Sequence, residues 1–136
     1  MLGKSFTNEK QEWPSFIEKV EDFPHLKILH LRGDLDASTM GEMKKFMKKT
    51  GKEKTIFNNN IILDMRKVGH VDTAAIAQFL KILNDLKLKK YRLGIMNAPD
   101  SMRHMMGILK LEDVILTFES QKKAFREILA WSKDWS

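Results

Sequence analysis

The pair Asp72-Thr73 is the place in this sequence where a side chain is best set for chemistry, because a hydroxyl directly follows an acidic residue at an expected helix start. A hydroxyl placed there can be a switch. Asp72 suits the N-cap, where a carboxylate accepts from the free amides of the first helical turn while its own backbone is still extended. Thr73 is then the first helical residue. In that register Val71 falls at N′ and Ile76 at N4, the spacing at which two apolar side chains staple the entry of a chain into a helix. Thr73 is therefore expected at a fixed, accessible terminus, followed by the small residues Ala74 and Ala75.

Other chemistries find little support. The absence of cysteine excludes disulfides, thiolate metal sites and cysteine nucleophiles. His25, His30, His70 and His104 fall at none of the HxH, HxxxH or HExxH spacings, so no metal is expected and they read as ordinary strand or surface histidines. There is no GxxxxGK[ST] loop, GxGxxG turn or GxSxG elbow, and hence no motif for a nucleotide cofactor or a serine nucleophile. Asp64 and Asp72 could be imagined as an acid/base pair, but two aspartates between a strand and a helix serve most simply as turn and cap residues. A non-enzymatic protein without cofactors is expected.

The elements that must position Asp72-Thr73 follow from periodicity. Ile61, Ile62, Leu63 and Met65 form an apolar run of strand length after the turn-prone Asn58, Asn59 and Asn60, which predicts an interior strand running into a short loop. Beyond the cap, Ile76, Phe79, Leu80, Leu83 and Leu86 recur at three- and four-residue steps and make one buried helix face, with Gln78, Lys81, Asn84 and Asp85 off that stripe. Upstream, Phe16, Ile17 and Val20 suggest a first strand that turns at Asp22 to Pro24. HLKILHLR from His25 to Arg32 gives a second, ended by Gly33 and paired antiparallel with the first. Thr39 to Glu42 has capping-box spacing and is expected to open a helix that Gly51 closes. YRLGIMN from Tyr91 is a fourth strand, and Pro99-Asp100 starts a helix with Met102, Met105, Met106 and Leu109 on its apolar side. Val114 to Phe118 is a fifth strand. Ser120 caps a last helix that packs Ala124, Phe125, Ile128 and Leu129 inward, together with Trp131 and Trp135. Alternating strands and helices after an initial hairpin imply a mixed sheet whose later strands are parallel. Part of the methionine-rich Met102 to Leu109 face could stay exposed as an adaptable partner surface.

A chain of 136 residues with 43% hydrophobic content fits one domain spanning 1–136, with residues 1–12 loosely ordered. Its polar N-terminus lacks an apolar signal region and no run reaches the roughly 18 apolar residues of a membrane span, so a cytoplasmic location is expected. The net charge of +6 owes much to Lys44, Lys45, Lys48, Lys49, Lys52 and Lys54. Most of these lie opposite Met40, Met43, Phe46 and Met47 and crowd the C-terminal half of one helix, which reads as a solvated face complementing the helix dipole. No aromatic-basic interleaving accompanies them, and direct nucleic-acid binding is not expected.

Three segments together carry a family resemblance: LRGDLD at Leu31 to Asp36, ILDMRKVGHVDTAAIAQFL at Ile62 to Leu80, and PDSMRHMMGILKLEDVI from Pro99. They resemble the STAS domain of sulfate transporters and anti-sigma factor antagonists. Gly33, Leu35 and Asp36 are similar to that family's G-x-L-D loop, and Asp72, Thr73 and Ile76 to its D-[ST]-S-G-L motif. The resemblance implies an α/β fold, a mixed sheet of about five strands with about four helices mainly on one side. It also implies a signalling function by partner switching in transcription regulation, in which an anti-sigma factor with serine/threonine kinase activity binds the domain and phosphorylates the hydroxyl after the motif aspartate, here Thr73. Gly33, Asp34, Asp36, Asp72, Ala74, Ala75 and Ile76 would then form the partner surface. Ala74-Ala75 replace the family's usual Ser-Gly, and Lys110 a usual Gly, so Thr73 is the only hydroxyl in the motif. The same resemblance allows a constitutive docking subunit of a larger assembly, such as a transporter, that is never phosphorylated.

Overall fold

A computed structural model describes residues 13–48 and 58–133. The chain opens with an antiparallel hairpin of β1 (Ile17–Phe23) and β2 (Leu26–Leu35), turned at Pro24-His25 with His25 in the left-handed region at φ 64°. Then follow α1 (Ala37–Lys48), β3 (Asn60–Val71), α2 (Thr73–Leu88), β4 (Leu93–Met96), α3 (Asp100–Leu109), β5 (Leu116–Phe118) and α4 (Gln121–Lys133). The five strands lie in sequence order in one sheet, with every pair after the hairpin parallel, as the alternation of strands and helices predicted.

The side-chain alternation of the strands divides the core in two. Leu29, Leu31 and Leu35 of β2 and Ile61 and Leu63 of β3 face Met40 and Met43 of α1, Ile76 and Phe79 of α2 and Met102 and Met106 of α3. Leu26, Ile28, Ile62 and Met96 point the other way, onto Ala124, Phe125 and Ile128 of α4. Three helices thus cover one face and one helix the other, because strands buried on both faces need apolar cover on both.

Five local expectations are corrected. β2 does not stop at Gly33 but runs on to Leu35, and β3 does not enter a loop after Met65 but continues to Val71. The two extensions pair with each other, Gly33 with Val68 and Leu35 with Val71, so ladder bonds override the loop-like composition of residues 66–70. The capping box of α1 is Asp36 with Thr39, not Thr39 with Glu42: the Thr39 amide donates to Asp36 Oδ1 at 3.0 Å and the Asp36 amide to Thr39 Oγ1 at 2.8 Å. Gln78 is buried in α2 although it lies off the apolar stripe, and Leu109 is 48% exposed although its spacing predicts the apolar side of α3. Ser120 does cap α4, accepting from the Lys123 amide at 3.2 Å. Gly51, Lys49, Lys52, Lys54 and Trp135 lie outside the described residues.

Close packing of α4 on β4 depends on Gly94, where a Cβ would come within 2.7 Å of the Phe118 ring and 3.4 Å of Ile128 Cδ1. Gly94→Ala is expected to destabilise the fold by about 1–3 kcal/mol through forced repacking of that ring, read as a lowered urea midpoint with unchanged m-value.

Candidate functional site

The corner that carries Thr73 is built where β2 and β3 end. Val71 is fully buried and Ile76 nearly so, both in the larger core, which fixes the entry into α2 on either side of the cap. Asp72 holds the extended cap conformation, φ −107° and ψ −178°, and its Oδ1 accepts from the amides of Ala74 at 2.9 Å and Ala75 at 3.2 Å. Its own amide donates to the Leu35 carbonyl at 3.1 Å, which ties the start of α2 to the end of β2. Asp36, one residue on from Leu35, caps α1. The backbone amide of Thr39, with the Thr39 hydroxyl and the Ser38 amide, holds its carboxyl below the usual range. Gly33 reaches φ 77°, a conformation that suits glycine, and a Cβ on Gly69 would stand 3.0 Å from Asp34 Oδ1.

The ends of β2 and β3 therefore meet at one rim. Thr73, Gly33 and Asp34 are exposed there, and Asp36, Asp72 and Ala74 are partly exposed. Ala75 and Ile76 are 0% and 2% exposed and present no surface, serving the helix anchor instead. The rim is acidic, with Asp34, Asp36 and Asp72 on its two sides.

On the face covered by α4 lies a second cluster that periodicity and motif spacing did not bring together. His30 Nδ1 donates to Asp64 Oδ2 at 2.6 Å and His30 Nε2 to Glu21 Oε1 at 2.5 Å. Ionised carboxylates only accept, so both ring nitrogens carry hydrogen and His30 is an imidazolium. Asp64 Oδ1 accepts further from Asn97 Nδ2 at 2.9 Å and the Arg66 amide at 3.1 Å. A half-buried line, with Asp64 its buried member, thus runs from β1 through β2 and β3 to the end of β4. Burial alone would lower the pKa of His30, but its bonds to Asp64 and Glu21 outweigh that and raise it. Burial likewise opposes ionisation of Asp64, yet the bonds from His30, Asn97 and Arg66 bring its pKa to about 2. The signal available in the sequence was Asp64 itself, a charge inside an apolar interior strand that has to be paired.

A shallow hollow of about 220 Å³ borders this line, lined also by Lys19, Arg66 and Lys67. Both carboxylates bond the imidazolium, so the cluster ties β1, β2 and β3 together. Among the described residues no group of three His, Asp or Glu side chains is arranged to hold a metal ion, and no helix is long and apolar enough to cross a membrane.

The hairpin-led mixed sheet, its helices and the Gly33 to Asp36 and Asp72-Thr73 corners define a known class of α/β domain. The chain belongs to the STAS domain family, whose model matches residues 17–124. In fold it is similar to a putative anti-sigma factor antagonist from Thermotoga maritima, with a TM-score of 0.71 at 14% identity over 81% of this chain and 92% of that one. It is also similar to the phosphorylated form of the Bacillus cell fate determinant SpoIIAA, with a TM-score of 0.59 at 14% identity over 81% and 97% of the two chains. A third likeness is to the murine Slc26a9 anion transporter, with a TM-score of 0.65 at 17% identity, covering 93% of this chain but 21% of the transporter.

Proposed function

We propose that this protein is a non-enzymatic signalling module, an anti-sigma factor antagonist-like domain of the cytoplasm that acts by phosphorylation-controlled partner switching. The observation that carries the reading is the exposed Thr73 hydroxyl at the first position of α2, on a corner held rigid by the Asp72 cap and by the Asp72 to Leu35 backbone bond. The partner is a serine/threonine kinase of the anti-sigma factor type. In the transfer, Thr73 Oγ1 attacks the γ-phosphorus of ATP held by that kinase, the hydroxyl proton passes to the kinase's base, and ADP leaves. Gly33, Asp34, Asp36, Asp72 and Ala74 shape the surface that the partner reads.

Pull-down from native lysate with phosphosite mapping by mass spectrometry tests this. Recovery of a kinase-like partner, with phosphate on Thr73 in wild type and none in Thr73→Ala, is the expected result. If no phosphate reaches Thr73 and Thr73→Ala and Thr73→Glu both bind that partner as wild type does, the switch is wrong. A second reading, an unphosphorylated docking subunit of a transporter, is favoured by Ala74-Ala75, which make the start of α2 a stiffer helix than Ser-Gly would. Transporter subunits in the pull-down would support it.

A further inference from the structure

The hollow beside the Glu21, His30 and Asp64 line holds charges that the line does not use. Facing it are Glu18 and Lys19 from β1, Arg66 and Lys67 from β3 and, from α4, the uncharged Gln121. Lys67 Nζ donates to Glu18 Oε2 at 2.7 Å, and Arg32, two residues on from His30 in β2, donates from Nε to the Ser15 carbonyl. The side chains of Lys19 and Arg66 make no ion pair among the described residues.

The two carboxylates bonded to His30 are held unequally. Asp64 has two further donors, Asn97 Nδ2 at 2.9 Å and the Arg66 amide at 3.1 Å, and its side chain is 6% exposed. The Glu21 carboxylate accepts from His30 Nε2 alone among the described residues, and its side chain is 14% exposed and borders the hollow. An imidazole that has lost one proton donates from one ring nitrogen only, and its other nitrogen presents a lone pair. A carboxylate facing that lone pair is repelled, and Glu21 is the one free to leave. Lys19 lies two residues away on the same face of β1, because strand side chains alternate, and Arg66 lines the same hollow.

We propose that Glu21 is a proton-operated latch on the edge strand β1. While His30 carries both protons, Glu21 is bonded to it and ties β1, through the imidazolium, to Asp64 of β3. When the Nε2 proton passes to solvent through the hollow, Nδ1–H stays on Asp64 and Glu21 swings onto Lys19 and Arg66. The polar ties among β2, β3 and the end of β4 survive this step. β1 loses its own, and since it is the outermost strand of the sheet the response is confined to it. The pKa of His30 is raised above 6.5, which sets the release on the alkaline side of that value.

NMR on the wild-type protein from about pH 6 to 10 tests this. Long-range proton–nitrogen spectra show which ring nitrogen of His30 titrates, the Glu21 Cδ shift follows its carboxylate, and hydrogen exchange follows each strand. Nε2 is expected to take the shift of an unprotonated nitrogen while Nδ1 stays protonated, and the Glu21 Cδ shift should move at the same midpoint. Protection factors of the β1 amides bonded to β2 should fall about tenfold or more across that midpoint, while those of β3 hold. In Glu21→Gln the fall should vanish, because the amide accepts from the imidazolium through Oε1 and donates to the neutral ring through Nε2. Deprotonation at Nδ1, an unmoved Glu21 signal, β1 protection that holds or falls together with that of β3, or the same fall in Glu21→Gln would each overturn the proposal.

Discussion

Phosphothreonine at position 73 is expected to weaken binding of a kinase-type partner about a thousandfold while leaving the protein folded. The modification brings about two negative charges to the first residue of α2. The helix dipole tolerates an anion there, so the melting temperature should move little. Asp72 Oδ1 already occupies the amides of Ala74 and Ala75, so these donors are not free to absorb the phosphate. The new charge stays at the surface, beside the Asp72, Asp34 and Asp36 carboxylates. A partner that packs over this rim then meets like-charge repulsion and a costly desolvation, and a penalty of about 4 kcal/mol corresponds to that thousandfold. Isothermal titration of the proposed partner with unmodified and phosphorylated protein measures it. Equal affinities for the two forms would remove the electrostatic basis of the switch.

His30→Leu should destabilise the fold by about 3–5 kcal/mol, because it strands Asp64 and Glu21 as close, poorly solvated carboxylates without their shared cation. That is a large share of a typical domain's stability of roughly 5–15 kcal/mol. The pH dependence has a definite sign. The folded pKa of His30 is raised above its ordinary 6.5, so its contribution is complete below 6.5 and is lost as pH rises through the raised value. Asp64 falls from 3.8 to about 2, so its contribution is complete above 3.8 and is lost as pH drops towards 2, a loss of about 2 kcal/mol. Stability from this cluster should therefore form a plateau between 3.8 and 6.5. Urea unfolding across pH should show the alkaline decline in wild type and its disappearance in His30→Leu. An alkaline limb of the same size in both proteins would assign it to other groups.

The element order was legible because each strand and helix carries its own periodic signal. Ser120 and Asp72 were legible as caps for the same reason, since a cap bonds to amides two or three residues away. The start of α1 was misplaced because Thr39 fits two boxes, with Asp36 before it and Glu42 after it, and spacing does not choose between them. The lengths of β2 and β3 were underestimated because Gly33, Gly69 and His70 read as loop until the other strand is present to satisfy their backbone. Gln78 escapes the pattern because a periodic stripe registers apolar residues only.

What the sequence determined by itself about this protein is the Thr73 corner: a cap, a first helical hydroxyl and a staple are interactions within a few residues of chain, set by spacing alone. The tertiary structure alone decided that His30, Asp64 and Glu21 form one line. Glu21 stands 9 residues from His30, and Asp64 stands 34 residues from it. Groups that far apart meet only through strand register, a quantity that belongs to the assembled sheet and to no local stretch of sequence.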